Sequence, residues 1–276
     1  MQLRFTKMHG LGNDFVVIDL LSQNAKLSAE HIRQIADRHR GVGCDQVLLV
    51  EPPATAETDF HYRIYNCDGN EVEQCGNGAR CFGKFIADKK LSGKSQLTVS
   101  TNTGIIHIDR VDRDIYRVDM GQPDFNPQSI PFDVNTQANS YTIEHAMGSS
   151  EIGAVSVGNP HAVIVVDNVD TAPVAELGVI LEPHKQFPKR ANIGFMQILS
   201  RNAIKLRVFE RGVGETQACG SGACAAVASG IQRGLLDNEV DVALLGGNLM
   251  IQWQGDGSSL VMLGDATKVF DGKIKL

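Results

Sequence analysis

Two cysteines, Cys75 and Cys219, have the type and setting of residues that could do chemistry. Each opens a glycine-rich stretch, Cys75-Gly76-Asn77-Gly78-Ala79 and Cys219-Gly220-Ser221-Gly222-Ala223, and the two stretches differ at one position. A thiol becomes a useful base only when its pKa falls from about 8.5 towards ambient pH, and a helix N-terminus supplies part of that fall. Apolar residues at helical spacing follow each stretch: Ala79, Phe82, Phe85 and Ile86 in one case, Ala223, Ala226, Val227 and Ile231 in the other. Each cysteine is therefore expected where a strand turns into a helix. The backbone N–H groups of such helix starts form an anion site that a substrate carboxylate fits.

The resemblance of the two stretches extends along the chain, and a repeat of this size decides the fold. Arg63-Ile64-Tyr65-Asn66 aligns with Arg207-Val208-Phe209-Glu210 at the offset of 144 that also separates the two cysteines. Upstream, Gly12-Asn13-Asp14 and the apolar run after it resemble Gly158-Asn159-Pro160-His161 and the run from Ala162. Downstream, Val118-Asp119-Met120-Gly121 faces Val261-Met262-Leu263-Gly264. Between the halves, Gly121 to Pro131 carries three prolines, which block helix and interior strand alike. The boundary is placed there, giving repeats at residues 1–122 and 123–264.

Two duplicated domains packed about an approximate two-fold axis would set the two thiols on opposite sides of whatever lies between them. That geometry suits inversion of a stereocentre: one thiolate takes a proton from one face of an α-carbon and the opposite thiol delivers one to the other face. The bound carboxylate would carry the charge that develops in the transition state. Other uses of the cysteines stay open at this point. Cys75 with Cys81 and Cys219 with Cys224 could be metal pairs, although five and four intervening residues fit zinc poorly; Cys81 and Cys224 read better as small apolar residues on a helix face. A regulatory Cys75–Cys219 disulfide is a third option. Cys44 and Cys67 have no counterpart in the other half and receive no role. The glycine-rich turns match neither the dinucleotide fingerprint nor the phosphate loop, Lys84 lying too far along its helix, and nothing points to a Schiff-base lysine.

Composition narrows the classes further. The net charge of −6 and the absence of a Lys/Arg stripe argue against nucleic acid. No segment has the length of a signal or membrane-spanning stretch, so a cytoplasmic protein with reduced thiols is expected. Short β-branched runs at 15–18, 47–50, 104–108, 162–166 and 249–253 predict strands. Two further helices are predicted at about 28–38 and 171–177, the second with Pro173 in its first turn. The fold class is α+β: two pseudo-two-fold-related domains, each a mixed or antiparallel sheet wrapped around a central helix that begins at its cysteine.

These motifs resemble a known family. Glu73-Gln74-Cys75-Gly76-Asn77-Gly78-Ala79-Arg80-Cys81 and the stretch from Glu210-Arg211-Gly212 through Cys219 to Cys224 are similar to the two cysteine signatures of diaminopimelate epimerases. Lys7 to Phe15 looks like the family's opening, and Phe187-Pro188 with Asn192 matches a later element. The resemblance implies cofactor-independent interconversion of LL- and meso-diaminopimelate, in lysine and peptidoglycan precursor synthesis, with Cys75 and Cys219 as the acid/base pair and no metal. It also implies that backbone donors of Gly76, Asn77, Gly220 and Ser221 hold the reacting carboxylate, and that Asn13, Gln46, Asn66, Asn159, Asn192, Glu210 and Arg211 complete the substrate site. In that pattern Arg211 suits a distal carboxylate and Glu210 a distal ammonium, while His161 and Glu210 adjust the thiols' protonation. A homodimer is expected, with Phe270 at a position where many members carry a tyrosine, and residues 265–276 are expected to return to the first domain. The nearest rival is another two-cysteine isomerase of this fold, such as a proline-type racemase.

Overall fold

The β-branched runs and the two cysteine-led helices assemble into a pair of units with one topology. The computed structural model describes residues 1–72 and 75–276. One unit comprises Met1–Asp119 and Leu263–Leu276, the other Met120–Met262. In chain order the first holds β1 (Gln2–Gly10), β2 (Asn13–Asp19), α1 (Ala29–Ala36), β3 (Gln46–Glu51), β4 (Phe60–Asn66), β5 (Glu71–Val72), α2 (Gly76–Asp88), β6 (Gln96–Thr101), β7 (Gly104–Arg110) and β8 (Ile115–Asp119). The second holds β9 (Tyr141–His145), β10 (Gly148–Ser156), β11 (Pro160–Val165), α3 (Val174–Leu181), β12 (Asn192–Ser200), β13 (Ala203–Glu210), β14 (Gly214–Thr216), α4 (Gly220–Gln232), β15 (Glu239–Leu244) and β16 (Gly247–Gln252). β17 (Val261–Asp265) leads back to the first unit, whose last strand is β18 (Thr267–Lys275).

In the first unit the ladder runs β18, β1, β2, β3, β4, β6, β7, β8, with β2–β3 and β4–β6 parallel and the other pairs antiparallel. In the second it runs β9, β10, β11, β12, β13, β15, β16, with β11–β12 and β13–β15 parallel. Each parallel step needs a crossover, which α1 and α2 supply in one unit and α3 and α4 in the other. The fold is mixed α+β, and the duplication read from the motifs is a duplication of strand order.

α2 shows why its sequence folds inward. Residues 76–86 are buried all round, including Ala79, Cys81, Phe82, Phe85 and Ile86 at 2% exposure or less. The Phe82 ring meets Tyr62 and Phe60 edge-on at 5.2 and 6.1 Å. Phe82→Ala is expected to cost about 3–5 kcal/mol, measurable by denaturant unfolding, because the cavity is walled by two other rings that cannot collapse into it. Two charges enter the same interior with partners: Arg80 Nε donates to the Asp265 carbonyl at 3.0 Å, and Lys84 reaches Asp114 at 2.6 Å. Cys81 and Cys224 are fully buried.

The other two helices differ in extent from expectation. α1 starts where Ser28 Oγ accepts the His31 N–H at 3.3 Å and stops at Asp37, whose carboxylate takes the N–H groups of His39 and Arg40 instead of letting the helix run on to Arg38. α3 spans Val174–Leu181, later than predicted, with Pro173 as its N-cap; Val174, Leu177 and Leu181 share its buried face against Phe187 and Ile193. Its C-terminal Val179-Ile180-Leu181 resembles a strand run, which hid the last turn of the helix from a local reading. Among the described residues no helix is long and apolar enough to cross a membrane.

Candidate active site

Strand direction brings the polar residues of each unit to one end of its ladder. β2 and β3 are parallel with Phe15 opposite Gln46, so Asn13 and Gln46 lie at the same end. β4 runs the other way and ends there at Asn66, which pairs with Gln46. The chain then turns through β5 to Cys75, the N-cap of α2. The second unit repeats this: β11 and β12 pair His161 with Asn192, β13 ends at Glu210, and β14 leads to Cys219, the N-cap of α4. Glu73 and Gln74, which open the first cysteine signature, lie outside the described residues.

Around Cys75 the structure gathers amides. Cys75 Sγ donates to Asn13 Oδ1 at 3.6 Å, and Asn77 Nδ2 donates to the same oxygen at 3.2 Å. The other end of the Asn13 amide is anchored by Asp45 Oδ2 at 3.0 Å, so its carbonyl must face the thiol. Asp45 is itself tied to Arg38 at 2.7 Å, and neighbouring Asp14 is held in carboxylate form by Arg38 and Lys7 against the cost of burial. Gln46 Nε2 donates to Asn66 Oδ1 at 2.9 Å, so these two form a pair of their own. Asp45 escaped the motif reading, though its place directly before Gln46 was a usable signal.

Cys219 has a different environment. The residue is 5% exposed, and burial pushes its thiol pKa well above the ordinary range, with the Glu210 carboxylate adding to the rise. The Ser221 hydroxyl, 3.6 Å away, and the Gly222 N–H oppose that shift without cancelling it. The expectation that a helix start lowers both thiols therefore fails at Cys219, because desolvation and a like-charge neighbour outweigh the helix end. Glu210 is fixed by Thr216 Oγ1, which donates to it at 2.5 Å. Glu210→Gln is expected to move Cys219 alkylation by iodoacetamide to lower pH, since removing a negative neighbour favours the thiolate; an unmoved or upward-shifted pH–rate profile would contradict this assignment.

The third residue of each helix is glycine for lack of room. A Cβ on Gly78 would come within 2.6 Å of the Tyr62 hydroxyl, and one on Gly222 within 2.9 Å of Val208 and 3.2 Å of Cys219 Sγ. Gly76, Asn77, Gly220 and Ser221 form the first turns, where an α-helix leaves backbone N–H groups without intrahelical acceptors.

His161 is buried, and burial with the nearby Arg211 cation pushes its pKa down to about 3, so it is a neutral imidazole at physiological pH. Its Nε2 donates to Asn159 Oδ1 at 2.8 Å. Asn192, expected among the substrate amides, is committed inside the unit: Nδ2 donates to the Pro160 carbonyl at 3.2 Å and Oδ1 accepts the Arg211 N–H at 2.9 Å. Arg211 itself is exposed. Phe270 lies on β18 opposite Lys7, exposed and edge-on to Phe5 at 5.9 Å.

Comparison with known proteins follows the same outline. The family model described as diaminopimelate epimerase matches residues 5–126 and 153–269. A phenazine biosynthesis protein of the PhzF family from Bacillus anthracis superposes with a TM-score of 0.72 at 17% identity over 100% of both chains. A hydroxyproline epimerase from Agrobacterium vitis gives 0.73 at 14% identity, over 99% of this chain and 92% of that one. A probable proline racemase from Agrobacterium radiobacter K84 gives 0.74 at 14% identity, over 99% and 93%. At these identities the likeness is one of fold.

Proposed function

Because the chain belongs to the diaminopimelate epimerase family, and is thus an isomerase, we propose that it interconverts LL- and meso-diaminopimelate without a cofactor, using Cys75 and Cys219 as two acid/base thiols. The observation that carries this reading is the pair of thiols at equivalent N-caps, each on a helix of the same topology, with unlike neighbours. Unlike settings fix which thiol keeps its proton while the other gives its proton up. Here the buried Cys219 beside Glu210 is held as the thiol, the state a proton donor needs.

In one direction Cys75, having lost to solvent the proton it otherwise donates to Asn13 Oδ1, takes the α-proton as thiolate and becomes the thiol; Cys219 gives its proton to the opposite face of the same carbon and becomes the thiolate. The reverse direction exchanges the roles. Each transfer moves one proton and no electrons. First-turn N–H groups of α2 and α4 receive the carboxylate at the reacting centre, where their dipoles favour the developing charge. His161, neutral, adds no charge that would pin either thiol as thiolate. Arg211 receives the distal carboxylate, Glu210 takes the distal ammonium, and Asn13, Gln46, Asn66, Asn159 and Asn192 line the substrate, Asn192 also holding the Arg211 N–H. The product feeds lysine and peptidoglycan precursor synthesis, in the cytoplasm, and the protein works as a homodimer with Phe270 at the interface.

A proline-type racemase of this fold would act on a substrate with one charged head. The two readings separate on incubating the protein with LL-diaminopimelate, L-proline and trans-4-hydroxy-L-proline and following products by chiral chromatography. The expected result is meso-diaminopimelate alone; inversion of either imino acid with diaminopimelate untouched would overturn the substrate assignment.

A further inference from the structure

The turn between β13 and β14, which carries Arg211, is gripped by two buried polar side chains. Glu182, at the C-cap of α3 and 5% exposed, accepts the Gly212 N–H through Oε1 at 2.9 Å and pairs through Oε2 with Arg190 at 3.3 Å. Asn192, 3% exposed, accepts the preceding N–H, that of Arg211, at 2.9 Å. The same segment supplies a third hold, because Arg211 Nη1 donates to the Lys189 carbonyl at 3.3 Å. Its ends are tied together by the Ala191 N–H donating to the Glu182 carbonyl at 3.0 Å, and Arg190 adopts a left-handed backbone at φ 59°. Gly212, at φ 74°, presents its N–H to Glu182 in a conformation that a side chain would strain.

A carboxylate is a costly filler for a buried position, and a leucine would occupy similar space without the desolvation penalty. What Glu182 adds is a charged acceptor aimed at one backbone N–H, beside an amide that holds the neighbouring one. Two consecutive N–H groups held from fixed elements leave the turn one orientation, and the guanidinium base of Arg211 is set with it.

We propose that Glu182 is a positioning residue for Arg211: its hydrogen bond to Gly212 fixes the turn from which Arg211 meets the distal head of the substrate. The inference rests on the reading of Arg211 given above. Because the affected group binds the part of the substrate remote from the reacting carbon, loosening it should weaken binding more than it slows proton transfer.

The test combines amide exchange with steady-state kinetics on the full chain. In the wild-type protein the Gly212 amide, though on an exposed turn, is expected to exchange at least tenfold more slowly than the unstructured rate. Glu182→Ala is expected to abolish that protection and to raise KM for LL-diaminopimelate about tenfold while kcat stays within twofold. Glu182→Gln, which keeps an acceptor, is expected to restore both protection and KM to within about threefold. Unprotected Gly212 in the wild-type protein overturns the proposal without any variant having to fold. So does a Glu182→Ala protein that lowers kcat at unchanged KM, or a glutamine variant no better than alanine. If the wild-type protein does not turn over LL-diaminopimelate, the substrate reading falls, and the exchange measurement still decides whether Glu182 holds the turn.

Discussion

Cys75→Ala and Cys219→Ala are each expected to lower the epimerisation rate by about 10³-fold or more, and the double variant is expected to be little slower than either. General acid–base groups contribute roughly 10²–10⁴-fold each, but residues that act as a unit are strongly non-additive, since inversion requires both transfers. The single variants should differ in a second property. With Cys219 replaced, Cys75 can still remove and return the proton of one epimer, so exchange of that α-hydrogen with solvent should survive without inversion. With Cys75 replaced, the surviving exchange should be that of the other epimer. The measurement is the rate of product formation by chiral chromatography together with α-hydrogen exchange by NMR. Either single variant retaining the wild-type rate removes the two-base account.

Arg211→Ala is expected to lower kcat/KM for diaminopimelate by about 10²–10³-fold, most of it in KM. A charge-assisted hydrogen bond contributes about 1.5–3 kcal/mol, and a guanidinium offers two in parallel to a carboxylate. Arg211→Lys should recover only part of the loss, because an ammonium cannot reproduce the planar fork. The nearby carbonyl of Lys189, 3.3 Å from Arg211 Nη1, gives the side chain a defined resting place from which to reach the substrate. Full activity in Arg211→Ala would leave the thiol chemistry standing and remove the diaminopimelate assignment.

How much of this was legible in the amino-acid order depends on the residue. Cys75 and Cys219 were readable because a repeat marks its equivalent positions, and the strand and helix types followed from β-branched runs and from helical spacing after each glycine-rich turn. Glycines at 78 and 222 were readable as a pattern, but their reason, the Tyr62 hydroxyl on one side and Val208 with the Cys219 sulfur on the other, required packing. The burial of Arg80 and Lys84 was not readable: a helix enclosed on every side looks locally like an amphipathic one, and although Asp88 is a local partner of Lys84 at 3.3 Å, the Asp265 carbonyl and the Asp114 carboxylate lie far along the chain. For the same reason Glu182 carried no signal, because its hydrogen-bond partner is a backbone N–H thirty residues away.

The thiol environments show the limit most clearly. Both cysteines sit at helix starts, and a rule based on helix ends alone lowers both. The direction at Cys219 is set by enclosure and by Glu210, which the repeat aligns with Asn66 in the other half. That one exchange, an amide in the first unit for a carboxylate in the second, breaks the chemical symmetry of a duplicated fold and is visible in the alignment of the repeats. Its consequence depends on burial, which a sequence pattern does not carry.

The central claim is that two thiols move separate protons at one α-carbon of diaminopimelate, and the most direct measurement is turnover of LL-diaminopimelate in deuterated water, stopped early. The account predicts meso product carrying one deuteron at the inverted carbon, while recovered LL substrate remains unlabelled, because the group that removes the proton is not the group that delivers the new one. Product that retains the original proton, or equal labelling of recovered substrate and product, would contradict it.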